Sequence, residues 1–402
     1  MLYDPSRHEA LDARAWDDAC ARASIEAIVA DVEARFTPDG YWPVHPLDAD
    51  NGETAPLFPL YFGATGVIWA LRHLESAGAC RLARAYIDDV EPLVARTCEW
   101  QRGFGETEPA SYLMGETGID LVRYALRPNA GVADRIADLV AANREHPSRE
   151  LMWGAPGTLL TALFMHERTL ERRWADLFRS TAATLWSQLR WSSEFGCRYW
   201  TQDLYGITST YLDAVHGFVA TASPLIRGRA LLGDAWAAWS DCIAETLART
   251  ASRDGKLVNW RPWLDWQPRP GKPMLMQYCH GAPGFVICAG DFPDASLDAL
   301  LLGAGEAIWQ AGPLHKGSNL CHGTGGNGYA FLKLFARTGD HLWLERARAF
   351  AMHGIAQSEA HAAQYGQRRY SLWTGDPGFA IYLWDCINAR AAFPTVDVFF
   401  EG

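Results

Sequence analysis

Apolar residues recur along most of the chain at the spacing of an α-helix, and polar residues fill the positions between them. Four segments show apolar positions at i, i+3, i+4 and i+7 most clearly: residues 66–78, 133–146, 231–250 and 340–359. The alternation that is typical of strands is rare, and we expect a short strand only within residues 196–206. The pattern therefore predicts an all-α protein.

Seven short turns of the form Gly-x-x-Gly interrupt this pattern, and each leads into a strongly apolar helix. The turns occupy residues 63–66, 115–118, 154–157, 217–220, 281–284, 323–326 and 375–378. Six copies are complete, and the fourth has Ala220 in place of its second glycine. Each gap between turns also holds at least one amphipathic helix, so the chain repeats one helical unit.

This repeat predicts an α/α toroid, a ring of seven inner helices surrounded by seven outer helices. An inner helix that is apolar nearly all round must be buried on most faces, and seven of them can bury one another by closing into a ring. We expect a positive φ or a close backbone approach at each first glycine, and tight helix packing at each second one. We predict one domain over residues 1–402, with the repeats at about 55–390 and all seven turns at one mouth. An α-solenoid without chemistry is the alternative.

Composition narrows the classes of function. Of the 402 residues, 49% are apolar and 21% charged, which is typical of a globular chain. A net charge of −11 without any basic run argues against binding to nucleic acid or to an anionic membrane. The start of the chain lacks the apolar core of a signal peptide, and its nine scattered cysteines are typical of reduced thiols. We therefore expect a cytoplasmic protein, and we take a monomer as the default.

Three of the seven turns carry side chains suited to chemistry. Cys279 and Cys321 each lie two residues before a first glycine, and His216, His280 and His322 each lie one residue before. Two thiolates and one imidazole are ligands that Zn²⁺ prefers, and a three-ligand site leaves a coordination position open for catalysis. Spacing alone does not choose between His280 and His322 as the imidazole ligand. Buried thiols or a disulfide are the alternatives, but neither explains why two cysteines occupy the same place in two repeats.

The turns "CHGAPG" at 279–284 and "CHGTGGNG" at 321–328, together with the other five, resemble those of the lanthionine synthetase C-like family over about residues 55–390. The resemblance implies that zinc is bound by Cys279, Cys321 and His322. It also implies a catalytic histidine at His216 and a catalytic carboxylate at Glu150. The implied reaction is zinc-dependent addition of a thiol to dehydroalanine or dehydrobutyrine in a peptide or protein.

Two features resemble the branch of the family that uses glutathione as the thiol. They are the "CHGAPG" turn, which contains His280, and Lys316, which lies five residues before Cys321. We expect His280 to donate to the enolate oxygen or to orient the peptide, and Lys316 to pair with a carboxylate of glutathione. Arg368 and Arg369 precede the seventh turn, where they are candidates to meet an anionic substrate.

The chain departs from the family pattern in the fourth and fifth turns. Tyr278 stands where tryptophan is usual, and Leu275 and Met276 occupy the stretch before Cys279 where peptide cyclases carry an arginine. The missing arginine favours glutathione addition over the main alternative, closure of lanthionine rings in a ribosomal peptide.

Two further classes of function remain as alternatives. One is a non-catalytic scaffold that has kept its zinc. The other is a sugar hydrolase with paired carboxylates at the mouth of the barrel, for which Asp203 and Asp265 are the candidates. The hydrolase hypothesis leaves both Cys-His-Gly turns unexplained.

Overall fold

The computed structural model describes residues 2–12, 14–49, 55–103, 108–267 and 274–400, and these ranges are mainly helical. The helices are α1 (Asp18–Arg35), α2 (Ala64–Ser76), α3 (Leu93–Arg102), α4 (Glu116–Leu126), α5 (Ala130–Ala142), α6 (Ala155–Thr169), α7 (Arg172–Ser187), α8 (Phe218–Arg227), α9 (Arg229–Leu232), α10 (Trp236–Thr250), α11 (Ala282–Ala289), α12 (Asp298–Ala311), α13 (Thr324–Thr338), α14 (His341–Tyr365) and α15 (Asp376–Asn388). Short 3₁₀ turns lie at Pro5–Arg7, Gly233–Ala235 and Ala295–Leu297.

The strands form three small antiparallel hairpins. They are β1 (Arg190–Ser192), β2 (Cys197–Tyr199), β3 (Gln202–Leu204), β4 (Ile207–Ser209), β5 (Ala251–Asp254) and β6 (Leu257–Trp260), paired β1–β2, β3–β4 and β5–β6. The short strand expected within residues 196–206 is confirmed, since β2 and β3 both lie there. The all-α prediction is confirmed for most of the described residues, but it missed the other strands of these hairpins, which lie before the fourth and fifth turns.

Helices that follow the Gly-x-x-Gly turns form a closed ring. Each of α2, α4, α6, α8, α11, α13 and α15 begins directly after the first glycine of a turn, and most of its residues are buried. Each contacts the next one along the chain, and α15 contacts α2, which closes the ring. The helices α1, α3, α5, α7, α10, α12 and α14 alternate with them in the sequence. The chain therefore has a toroidal helical architecture.

Backbone hydrogen bonds join the turns to one another at one mouth of the ring. Most of them connect residues that lie two positions before a first glycine. The amide groups donate to carbonyl oxygens in the pairs Tyr61 to Leu113 (3.0 Å), Leu113 to Met152 (3.2 Å), Leu151 to Val215 (3.0 Å), Cys279 to Cys321 (3.0 Å), Cys321 to Trp373 (2.8 Å) and Trp373 to Tyr61 (3.2 Å). These bonds hold neighbouring turns at the same depth, so that equivalent side chains face the same mouth.

The glycines of the turns are explained by close packing more than by backbone conformation. Among the seven first glycines, which all lie in the described ranges, Gly281 has a left-handed φ of +115°, whereas the others, such as Gly63 at −119°, are extended. A Cβ atom at Gly284 or Gly326 would press against the carbonyl oxygen six residues earlier in the chain. The second glycine therefore lets the start of each helix pack closely against the backbone of the turn that precedes it.

We expect Gly284→Ala to destabilise the ring by about 1–3 kcal/mol, because the new methyl group would overlap the Tyr278 carbonyl and the Ala214 side chain of the neighbouring turn. Gly131→Ala is the matched control. Its methyl group would meet nothing closer than Asn129 Oδ1 at 3.5 Å, so it should stabilise the protein by about 0.4–1 kcal/mol. Guanidinium unfolding of both variants measures the difference, and equal midpoints would contradict the packing argument.

The C-terminal segment fills the centre of the ring. Trp69 on α2 donates to the carbonyl oxygen of Phe399 (3.0 Å), and Arg227 on α8 donates to that of Val396 (2.7 Å). Phe393 stacks on Tyr278 with ring centroids 4.5 Å apart. One hydrophobic cluster consequently runs from α1 through the ring to this segment. Within the described ranges, no helix combines the length and apolarity that crossing a membrane requires.

Candidate functional site

Cys279, Cys321 and His322 form a compact group at the mouth of the ring. Their ligand atoms, two Sγ atoms and one imidazole nitrogen, all lie within 4.8 Å of one another. The backbone hydrogen bond from Cys279 to Cys321 brings the fifth and sixth turns together, and so the two thiols meet. Cys321 and His322 both contribute although they are adjacent, because they lie in the irregular turn before α13. The group could hold a metal ion, and its donors suit borderline-soft Zn²⁺.

Two polar side chains donate to the sulfur atoms. The Tyr61 hydroxyl donates to Cys321 Sγ at 2.9 Å, and Gln277 Nε2 donates to Cys279 Sγ at 2.9 Å. The hydrogen bond from Cys279 lowers the pKa of Cys321, and Tyr61 acts in the same direction against the effect of burial. The same contact with Cys321, together with burial, raises the pKa of Cys279. Of the two thiols, Cys321 therefore has the lower pKa.

His216 lies in the fourth turn against Glu150, a residue of the third. His216 Nδ1 is 2.9 Å from Glu150 Oε2, and the fully buried carboxylate also accepts the amide groups of Met152 (2.9 Å) and Trp153. Burial lowers the pKa of His216, but the hydrogen bond and charge of Glu150 outweigh it and raise the pKa to about 9. At neutral pH the imidazole is consequently protonated.

Asp213 repeats this arrangement one turn further on, and the sequence analysis missed it. Asp213 Oδ1 accepts the amide groups of Val215 (2.9 Å) and His216 (2.7 Å), while Oδ2 lies 2.9 Å from His280 Nδ1. Although burial opposes it, the charge of His280 lowers the pKa of Asp213. Glu150 and Asp213 both stand four residues before a first glycine, and this shared position was the signal that could have identified Asp213.

His280 therefore faces a carboxylate and not the group of metal-binding atoms. Its ring centroid lies 6.4 Å from that of His216. The mouth thus holds two neighbouring histidine–carboxylate pairs beside the thiols. Such an arrangement can deliver a proton, or a hydrogen bond, to a molecule that reacts at the sulfur atoms.

Lys316 and Arg369 lie on the side of the mouth near Cys321. Both line a small cleft together with Asn319 of the sixth turn. Arg369 is already paired with Asp48, with 2.7 Å between Nε and Oδ2, and Lys316 is exposed.

Arg368 has a different environment from Arg369. Its guanidinium donates to Ser358 Oγ at 2.9 Å and lies 3.8 Å from Asp376, and its side chain is largely buried. Arg368 is therefore engaged with Ser358 and Asp376, whereas Arg369, whose side chain is equally buried, lines the cleft with Lys316.

The carboxylates of the sugar hydrolase hypothesis both lie at exposed positions. Asp203 lies on β3, where its Oδ1 accepts the Thr208 hydroxyl at 2.6 Å across the hairpin. Asp265 lies in the loop after β6. Asp203 is thus engaged within its own hairpin.

Fold and site together define a helical toroid with a thiol–imidazole group at one mouth that could hold a metal ion. The model of the family "Lanthionine synthetase C-like protein" matches residues 14–398. The chain therefore belongs to the lanthionine synthetase C-like family, as its two Cys-His-Gly turns suggest.

Two curated relatives match parts of the chain. Glutathione S-transferase LANCL1 of Danio rerio is 37% identical over 130 residues, which are 31% of this chain and 32% of the relative. LanC-like protein GCL1 of Arabidopsis thaliana is 35% identical over 138 residues, 31% of this chain and 30% of the relative. These matches span about a third of the relatives' length.

A solved structure of nisin cyclase is similar over nearly the whole chain. The TM-score is 0.63 at 15% sequence identity, covering 90% of this chain and 93% of the cyclase. At this identity the likeness shows a shared fold and nothing about the substrate.

Proposed function

We propose that the protein is a zinc-dependent enzyme that adds a thiol, glutathione, to dehydroalanine or dehydrobutyrine in a peptide or protein. The observation that carries the proposal is that a possible metal site and a protonated imidazole lie side by side at one mouth of the ring. Cys279, Cys321 and His322 offer a three-ligand metal site, and the protonated His216 lies beside it against Glu150. Addition of a thiol to an electron-poor alkene needs both a thiolate and a proton donor.

The first requirement is a thiolate at neutral pH. Zn²⁺ held by Cys279, Cys321 and His322 would bind the incoming thiol at its open position and keep it ionised. Tyr61 and Gln277 each donate a hydrogen bond to a ligand sulfur and so fix its orientation.

The second requirement is a proton at the α-carbon. When the sulfur bonds to the β-carbon, the electron pair of the alkene moves to the α-carbon and the neighbouring carbonyl as an enolate. His216 donates its proton to the α-carbon, and the proton released by the thiol restores the imidazolium, so that the reaction balances. His280 donates a hydrogen bond to the enolate oxygen in this proposal, and its contact with Asp213 would orient the ring.

Glutathione is the proposed thiol because the cleft beside Cys321 is lined by cationic groups. Lys316 and Arg369 can meet the carboxylates of glutathione there, although Asp48 already neutralises part of the charge on Arg369. The curated relative from Danio rerio bears the name of a glutathione S-transferase, which supports the same choice over its third of the chain.

Glu150→Gln is expected to shift the pH dependence of the reaction to lower pH. The hydrogen bond and charge of Glu150 raise the pKa of His216 to about 9, so His216 stays protonated up to that pH and loses its proton above it. Without the charge, the pKa should fall towards the ordinary value of about 6.5, which lowers the protonated fraction roughly 30-fold at pH 8 and little at pH 6. A pH–rate profile measures the change. An unshifted profile with full zinc content would contradict this role of Glu150.

A peptide that contains both dehydroalanine and a cysteine tests the proposal against its alternatives. The zinc-loaded protein is incubated with this peptide and glutathione, and the products are identified by mass spectrometry and by alkylation of free thiols. Addition of one glutathione, with the cysteine still free, supports the proposal. Loss of the free thiol without a change in mass would show a lanthionine-ring cyclase instead. If neither product forms although zinc is bound, the result would indicate a non-catalytic, zinc-bearing scaffold.

A further inference from the structure

An exposed aromatic surface lies directly beside His216. We call it the aromatic rim, and it consists of Trp153, Tyr205, Ile207, Tyr211 and Trp263. Tyr205 and Ile207 are 70% and 69% exposed, which is unusual for side chains of their size. Tyr211 packs against Trp263, with ring centroids 6.2 Å apart, and lies 5.7 Å from the ring of His216. The surface is thus continuous with the site.

Tyr205 occupies a position that a tyrosine rarely adopts. It forms the two-residue turn of the β3–β4 hairpin with Gly206, and both residues are left-handed, with φ of +53° and +74°. Asparagine, aspartate and glycine fit such a turn best, and a bulky residue there costs conformational energy. The Tyr205 hydroxyl nevertheless accepts a hydrogen bond from Trp153 Nε1 at 3.1 Å, and the ring centroid lies 6.4 Å from that of His216. The turn therefore holds the exposed ring towards the site. The hairpin does not need a tyrosine there to fold, so folding does not explain the conformational energy that this residue costs.

Charge differs between the two sides of the mouth. On the side of the rim, the buried carboxylates of Glu150 and Asp213 are paired with His216 and His280, and Asp203 is exposed on β3. On the side of Cys321, Lys316 and Arg369 line the cleft. An anionic thiol is favoured on the cationic side, whereas the rim suits a segment with an apolar side chain.

We propose that the aromatic rim binds the peptide segment that carries the dehydroamino acid, and that Tyr205 selects an apolar or aromatic residue next to it. This inference rests on the proposed function. A segment packed on Tyr205 would bring its α-carbon to the His216 side of the mouth while glutathione enters from the Lys316 side. Tyr205 is thus a specificity-determining residue for the peptide and not for the thiol.

Tyr205→Asn tests the rim, because asparagine suits the left-handed turn and should preserve the hairpin. Two matched peptides are used as substrates, with phenylalanine or serine beside the dehydroalanine. We expect the native protein to prefer the phenylalanine peptide by about 10-fold in KM. The variant should lose this preference while its KM for glutathione stays unchanged. Trp191→Thr removes an equally prominent aromatic residue, 55% exposed on the β1–β2 hairpin, and should keep the preference. A preference that survives in Tyr205→Asn would overturn the proposal.

Binding without turnover separates this inference from the proposed function. Fluorescence anisotropy is measured with unreactive peptides in which alanine replaces dehydroalanine. Tighter binding of the phenylalanine peptide by the native protein, lost in Tyr205→Asn, supports the rim even if no thioether forms. Equal binding of both peptides by the native protein would overturn the rim even if glutathione addition is observed.

Discussion

Replacing Cys321 with alanine is expected to remove bound zinc and to reduce thioether formation to the uncatalysed rate. Cys321 is one of three residues whose ligand atoms meet within 4.8 Å, and two ligands hold Zn²⁺ far more weakly than three. Loss of the metal also removes the group that would keep the incoming thiol ionised. Zinc per protein chain, measured by mass spectrometry of the metal, should fall from one to near zero.

Cys242→Ala is the matched control for this prediction. Cys242 is a buried thiol on the outer helix α10, and it is not part of the group of ligand atoms. The control should keep its zinc and its activity. It should also keep the rise in melting temperature that added zinc produces in the native protein, whereas Cys321→Ala should lose that rise. A full equivalent of zinc in folded Cys321→Ala protein would show that the ligand assignment is wrong.

His216→Asn is expected to keep zinc and to lower kcat by about 10²–10⁴-fold. In the proposed mechanism the imidazole donates the proton to the α-carbon, and the amide of asparagine does not supply a proton at neutral pH. The KM values for peptide and glutathione should change little, because the metal site, the cleft and the rim remain.

The configuration of the product gives a second measure of His216. In the native protein the proton arrives from one side, and the thioether should form as one diastereomer at the α-carbon. In His216→Asn protein the enolate is protonated by solvent, and a mixture is expected, which chromatography of the hydrolysed product resolves. A variant with full turnover and a single diastereomer would remove His216 from the mechanism.

Much of the architecture could be predicted because its signals repeat. Seven turns recur with apolar helices after them, and burial of such helices on most faces requires that they pack on one another. The hairpins were only partly foreseen, since strands of three residues, such as β1 and β4, are too short to show an alternating pattern.

The site could be predicted only for residues that stand at equivalent positions in the repeated turns. Cys279, Cys321 and His322 stand at fixed places before the first glycines, but the family resemblance was needed to choose His322 over His280. The contact between His280 and Asp213 supplies the physical reason, since it turns this imidazole towards a carboxylate. Asp213 was missed because its role depends on which turns are neighbours in space.

Other partners lie far apart in the sequence. The hydroxyl of Tyr61 reaches Cys321 across 260 positions, and Arg369 pairs with Asp48 across 321. Such contacts arise only when the ring closes, and helical periodicity does not reveal them. The expectation that Arg368 and Arg369 meet an anionic substrate did not anticipate that, of the two, Arg369 lines the cleft.

The most direct test of the central claim is the reaction itself. The zinc-loaded protein is mixed with glutathione and a peptide that contains dehydroalanine but no cysteine, and the peptide mass is followed with time beside a reaction that contains free zinc alone. We predict addition of one glutathione at the dehydroalanine, at a rate well above that of zinc alone and lost in the Cys321→Ala and His216→Asn proteins. A rate equal to that of zinc alone, from folded protein with one zinc bound, would contradict the account.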